Sequence, residues 1–131
     1  MAIKLKLNDV IETELYYGFY DIYVLGGFDV QVNPDFFVEI LDLETNESIL
    51  LREKNLKARD YKNGIKAVKF FTFEIYKYTK CRISVHNFED MIVKDLMPMP
   101  IRDMISDFLF NFFSLRKQKE INLDQVEILI S

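Results

Sequence analysis

The stretch "KAVKFFTFEIYKYTKCRISVHN", residues 66–87, restricts the fold most, because apolar and polar residues alternate with a period of two on both sides of a polar centre. Phe71, Phe73 and Ile75 share one face of a first strand, and Cys81, Ile83 and Val85 share one face of a second. Successive side chains leave a pleated strand in opposite directions, so this period marks strands with one buried face. The spacing predicts a long antiparallel hairpin turned at the polar residues between the two runs.

Shorter segments carry the same signal. "IKLKL" places Ile3, Leu5 and Leu7 on one face and its lysines on the other. "ELYYGFYDIYVL" has aromatic and β-branched residues on both faces, as a central strand needs, and runs into a Gly26-Gly27 turn, with Gly18 marking a bulge or a close backbone approach. From Phe36 to Arg52 two apolar runs flank "ETNES" and read as a second hairpin. Asn33 and Pro34 also resemble a helix start, but aromatic and β-branched residues favour the strand. The charged connection 53–64 ends at "NG"; a short strand follows around Met91 to Val93, and "QVEILI" forms the last. Many short strands with little helix between them imply an all-β, mainly antiparallel fold, a two-sheet β-sandwich, in a single domain over residues 1–131. A chain of this length buries about two-thirds of the surface it would expose unfolded.

One segment departs from strand periodicity. Between Pro100 and Arg116, Ile101, Met104, Ile105, Phe108, Phe112 and Leu115 recur at three- and four-residue spacings, while Asp103, Asp107, Asn111 and Ser114 gather opposite them. A strand would put Asn111 between Leu109 and Phe113 on one face, so an amphipathic C-terminal helix over 100–116 is expected. Its apolar stripe is wide, and Met97, Met99, Phe110 and Phe113 stand out as candidate residues for binding another copy or another protein. A membrane-surface role suits it poorly, because the polar side is acidic.

The net charge of −4 is unevenly spread: residues 1–51 sum to −8, residues 52–82 to +7 and residues 83–131 to −3. The basic third supplies a candidate anionic-ligand site, with Lys54, Lys57, Arg59, Tyr61 and Lys62 in one connection and Lys77 and Lys80, beside Tyr76 and Tyr78, at a hairpin end. A pI near 5.0 and the lack of a recognition motif weigh against nucleic acid.

Signatures of catalysis are sparse. His86 is the only histidine and Cys81 the only cysteine, so the usual zinc sets cannot be assembled within one chain and no cofactor or metal is expected. Residues 42–53, "DLETNESILLRE", place Asp42, Glu44, Asn46, Ser48 and Glu53 at EF-hand spacings, but Glu47 replaces the required glycine and the flanks read as strands. His86, Asp21 and Glu74 are scattered candidates for acid–base work, and a small enzyme is the remotest reading. No apolar run reaches the roughly 20 residues that span a bilayer. "MAIKLKLNDV" also lacks the apolar core of a secretory signal, so a cytoplasmic protein is expected. The leading expectation is a non-catalytic interaction or assembly module working through the apolar C-terminal segment. The alternative is a module that binds an anionic or lipid-like ligand through the basic third.

Overall fold

The computed structural model describes residues 2–53, 58–62, 64–94 and 120–131. These residues form β1 (Ile3–Lys6), β2 (Val10–Leu15), β3 (Gly18–Leu25), β4 (Asp29–Gln31), β5 (Phe37–Asp42), β6 (Arg52–Glu53) and β7 (Arg59–Lys62). They continue with β8 (Ile65–Ile75), β9 (Thr79–His86), β10 (Ile92–Lys94), β11 (Glu120–Ile121) and β12 (Glu127–Ile130). Every pairing among them is antiparallel. The largest sheet runs β1-β12-β3-β8-β6, with β7 also on β8; the second runs β2-β9-β5 and the third β4-β10-β11.

Alternation decides what each strand buries. Tyr20, Ile22 and Val24 of β3, Phe73 and Ile75 of β8, and Ile128 and Ile130 of β12 join Val38, Ile40, Cys81 and Ile83 of the second sheet in one buried cluster, together with Met91 and Val93. Removing each such aliphatic or aromatic side chain from water contributes about 1.5–3 kcal/mol. A second, smaller cluster, Tyr23, Leu25, Ala67 and Leu129, lies on the reverse face of the largest sheet. Among the described residues no fully buried side-chain nitrogen or oxygen lacks a hydrogen-bond partner.

Several strand assignments stand where expected, but their pairing differs. β8 pairs with β3, β6 and β7, whereas β9 pairs with β2 and β5, so residues 66–87 are not a hairpin. Residues 76–78 carry the chain from one sheet to another. The period of two reports which face is buried and is silent on which strand lies alongside. "ELYYGFYDIYVL" likewise divides at Tyr16–Tyr17 into the end of β2 and the whole of β3, which lie in different sheets. The irregularity in β3's pairing with β8 falls between Ile22 and Tyr23, where Phe70 is the extra residue, and not at Gly18. After β5 the "ETNES" turn closes only a Leu41–Ser48 bridge before the chain crosses to pair Arg52 with Thr72. Asn33 does accept a hydrogen bond from the Asp35 N–H at 2.8 Å, but within a turn leading into β5.

Two glycines fix the connections. Gly64, at φ +79°, closes the β7–β8 hairpin beside Asn63, with Lys62 opposite Ile65. A Cβ on Gly27 would lie 2.2 Å from the Lys94 carbonyl oxygen, so only glycine lets β10 approach so closely. The expected helix over 100–116 lies outside the described residues.

Candidate interaction surfaces

Two crossovers run side by side at one end of the molecule. Leu15 pairs with Thr79 in the second sheet and Gly18 with Ile75 in the largest. Tyr16 and Tyr17 therefore change sheets next to Tyr76, Lys77 and Tyr78. The Tyr20 hydroxyl donates to the Tyr16 carbonyl at 2.8 Å and accepts from the Tyr16 N–H at 3.2 Å, clamping the first crossover, while its ring stacks on Phe73 at 5.2 Å. Tyr16 and Tyr78 meet with ring centroids 5.3 Å apart. A hydrogen bond to the Glu14 carboxylate holds the proton on Tyr78, pushing its pKa up to about 12.

This end is unusually apolar for a surface. Phe19 is 76% exposed, Tyr17 and Tyr76 are 74% exposed, and Leu50 is 84% exposed. Phe19, Leu50 and Tyr76 line a groove of about 370 Å³ with Arg52, Lys77, Asp42 and Glu74. The groove is a wedge: Ile49 still bonds to Ile40 of the second sheet while Arg52 already pairs with Thr72, so the chain splays away from the end of β8 between them. Tyr76 is expected beside Lys77 and Lys80, whereas Phe19 belongs to none of the expected sites. The signal of the exposed tyrosines lay in the turns "YYG" and "YKY", where tyrosines occupy positions that Gly, Asn, Asp and Ser usually fill.

The basic residues divide between two places. Lys77 and Lys80 belong to the aromatic end, Lys80 paired in register with Glu14. Arg59, Tyr61 and Lys62 lie together on β7, alongside the opposite end of β8, whose eleven residues span roughly 33 Å. The structure adds Lys66 and Lys69 to that second group. Lys62 and Lys69 stand over the Tyr23 ring at 4.7 and 5.6 Å, and Lys66 stands over Phe28 at 5.5 Å. Phe28 in turn meets Tyr61 edge-on at 5.1 Å, and its carbonyl accepts from the Arg59 guanidinium at 3.0 Å. Lys62 pairs with Asp60 at 3.6 Å and Lys69 with Asp21 at 3.3 Å. The Tyr23 hydroxyl, ahead of Asp60, raises the Lys62 pKa. Burial alone would lower that of Lys69, but Asp21 and Tyr23 outweigh it and the net direction is upward. Lys54 and Lys57 lie outside the described residues, as do Met97, Met99, Phe110 and Phe113.

The residues weighed for catalysis are occupied otherwise. His86 Nε2 is 2.8 Å from the Ser84 hydroxyl, with its ring stacked on Phe37 at 4.7 Å. Asp21 holds Lys69, and Glu74 sits opposite Phe19 on the reverse face. Asp42 accepts the Glu44 N–H at 2.9 Å, so in the EF-hand-like stretch it shapes a turn that follows a strand. Among the described residues no three His, Cys, Asp or Glu side chains are grouped to hold a metal, and no helix is long and apolar enough to cross a membrane. No protein-family model matches the chain, and no curated protein or solved structure is significantly similar to it.

Proposed function

We propose that this chain is a non-catalytic interaction or assembly module of the cytoplasm: a two-sheet β-sandwich with an amphipathic helix over residues 100–116, binding another copy of itself or another protein. One observation carries the reading: Phe19 and Tyr76, each about three-quarters exposed, line a single groove with Leu50. Apolar surface on this scale gains free energy when a partner removes it from water, and aromatic side chains are the commonest anchors of interfaces. The sandwich is supported by the shared core of the largest and second sheets. The helix rests on the three- and four-residue spacing of its apolar residues, and Met97, Met99, Phe110 and Phe113 form a second contact in this reading.

Native mass spectrometry and sedimentation velocity on the full chain, over a concentration series with and without extract of its source cells, test the proposal. The expected result is a dimer or a retained partner that disappears in the Phe19→Ser/Tyr76→Ser variant while circular dichroism stays unchanged. A monomer without added mass, or an assembly that the variant keeps, counts against it.

The second reading is a module for an anionic or lipid-like ligand. It is favoured by the gathering of Arg59, Lys62, Lys66 and Lys69 around Tyr23, Phe28 and Tyr61. Binding of anionic vesicles that weakens with salt and is lost in Arg59→Glu/Lys62→Glu supports it; binding unchanged in that variant removes it.

A further inference from the structure

We propose that the groove between the end of β8 and the Ile49–Leu50 segment takes an extended segment of another protein that carries an acidic side chain, added as a strand to the open edge of β8 at Glu74. The inference rests on reading this groove as an interface. Main-chain geometry locates the opening. Asp21 exchanges both backbone hydrogen bonds with Ser131, at 2.8 and 3.0 Å, so its N–H and C=O point toward β12. Peptide groups alternate sides along an antiparallel strand, so those of Tyr20 and Ile22 point the other way, toward Phe73 and Phe71 of β8. Phe71 and Phe73 therefore direct theirs to β3, and Thr72 and Glu74 turn theirs to the opposite edge. Thr72 meets Arg52 there, but β6 begins at Arg52, and Leu50, the residue in line with Glu74, has left the sheet. Among the described residues the outward N–H and C=O of Glu74 have no strand partner and no hydrogen bond.

The chemistry of the walls selects the occupant. An unpaired strand edge is matched by another extended main chain, which supplies a donor and an acceptor at strand spacing. The groove, about 370 Å³, has the size of a ligand pocket, and Phe19, Leu50 and Tyr76 offer exposed apolar surface to the side chains of an added strand. Its charges are not balanced. Among the described residues neither Arg52 nor Lys77 has an ion-pair partner, whereas Asp42 accepts the N–H groups of Glu44 and Thr45. Glu74 alone is left to oppose the two cations, so an occupant bearing a carboxylate neutralises the surplus. This chain's own acidic edge strand, β2, is engaged already, with Glu12 on Arg82 and Glu14 on Tyr78, which points to another protein and not to a second copy.

A synthetic probe tests strand addition: the acetylated and amidated pentapeptide Val-Thr-Val-Glu-Val, titrated into the full, isotopically enriched chain and followed by amide chemical shifts and hydrogen exchange. The expected result is millimolar binding with shifts at Leu50, Glu74 and Tyr76, and exchange of the Glu74 amide slowed about tenfold near saturation. Arg52→Glu/Lys77→Glu, or lysine in place of the peptide's glutamate, should weaken binding roughly tenfold. Peptide methylated on alternate amide nitrogens should lose binding in at least one of the two frames, because an added strand pairs through alternate peptide groups. Binding that both methylated frames keep, or a Glu74 amide that is not slowed, overturns strand addition, and equal affinity for the lysine peptide overturns the acidic partner. Glu74 exchange that slows with chain concentration alone makes a second copy the occupant and also overturns the proposal. No binding by any of the peptides overturns it as well. In each case the interface reading stands if Phe19→Ser/Tyr76→Ser still abolishes assembly, and falls with the proposal if the variant keeps it.

Discussion

The Cys81 thiol is enclosed by the core, donating to the Thr13 carbonyl with 3.6 Å between sulfur and oxygen. Burial, with a smaller contribution from the Asp42 charge, pushes its pKa from 9.0 to about 11. The thiolate is the reactive form, so a thiol held this high should react with a disulfide reagent at pH 8 about a hundredfold more slowly than in the unfolded chain. Equal rates in buffer and in denaturant would show that the thiol is open to solvent. The raised pKa also means that the native state holds this proton more tightly than the unfolded state does. Its contribution to stability is therefore present below pH 9 and is lost as pH rises toward 11. A different residue-scale constraint acts at Gly27. The added methyl of Gly27→Ala would meet the Lys94 carbonyl oxygen at 2.2 Å, and main chain cannot swing aside as a side chain does. Urea unfolding should show a loss of about 1–3 kcal/mol with the slope unchanged; an unaltered midpoint would mean that β10 does not abut this turn.

Central strands should matter more than their surface ion pairs. β9 lies between β2 and β5, and it presents Ile83 to the core and Arg82 to solvent. Ile83→Ala should cost about 2–5 kcal/mol, because a fully buried side chain leaves both lost transfer energy and a cavity. Arg82 meets Glu12 at 2.8 Å, but both side chains are about half exposed, so Arg82→Ala should cost at most about 1 kcal/mol. Paired denaturation curves check the contrast, and equal losses would place Ile83 outside the core. The same strand shows how much the sequence disclosed. Cys81, Ile83 and Val85 were legible as one buried face because alternation is local. The partners of β9 were not, because β2 and β5 lie far away in sequence, and a three-residue tyrosine-rich crossover reads like the turn of a hairpin. In the sequence reading "NG" at 63–64 marks only the end of the charged connection 53–64, although Lys62 lies opposite Ile65 and β7 pairs with β8 across it. Of the residues expected to bind an anionic ligand, the clustering of Arg59, Tyr61 and Lys62 was readable from their adjacency. Their separation from Lys77 and Lys80 required knowing that β8 runs unbroken between the two groups. Phe19 escaped because a phenylalanine inside an alternating run looks like core until the sheet shows which face is wet.

At the scale of the molecule, the first and last strands hold one another. β12 lies between β1 and β3, with Ile3 opposite Ile130 and Ile22 opposite Ile130 on the other side, so the largest sheet is completed by a contact spanning nearly the whole sequence. Val126, Ile128, Leu129 and Ile130 are all buried. Their loss at about 2–5 kcal/mol each is comparable with or exceeds the roughly 5–15 kcal/mol that stabilises a typical domain. Deleting residues 126–131 should therefore abolish the cooperative thermal transition, whereas Phe19→Ser, on the exposed end, should leave the midpoint nearly unchanged. Calorimetry on the two variants distinguishes a single cooperative core from a sheet that tolerates losing its edge. If the truncated chain still melts cooperatively, β3 and β8 suffice without β12, and the pairing of the two terminal strands is not what holds the sheet together. If it does not, the exposed aromatic end stands on a scaffold that exists only once β12 has paired with β1 and β3.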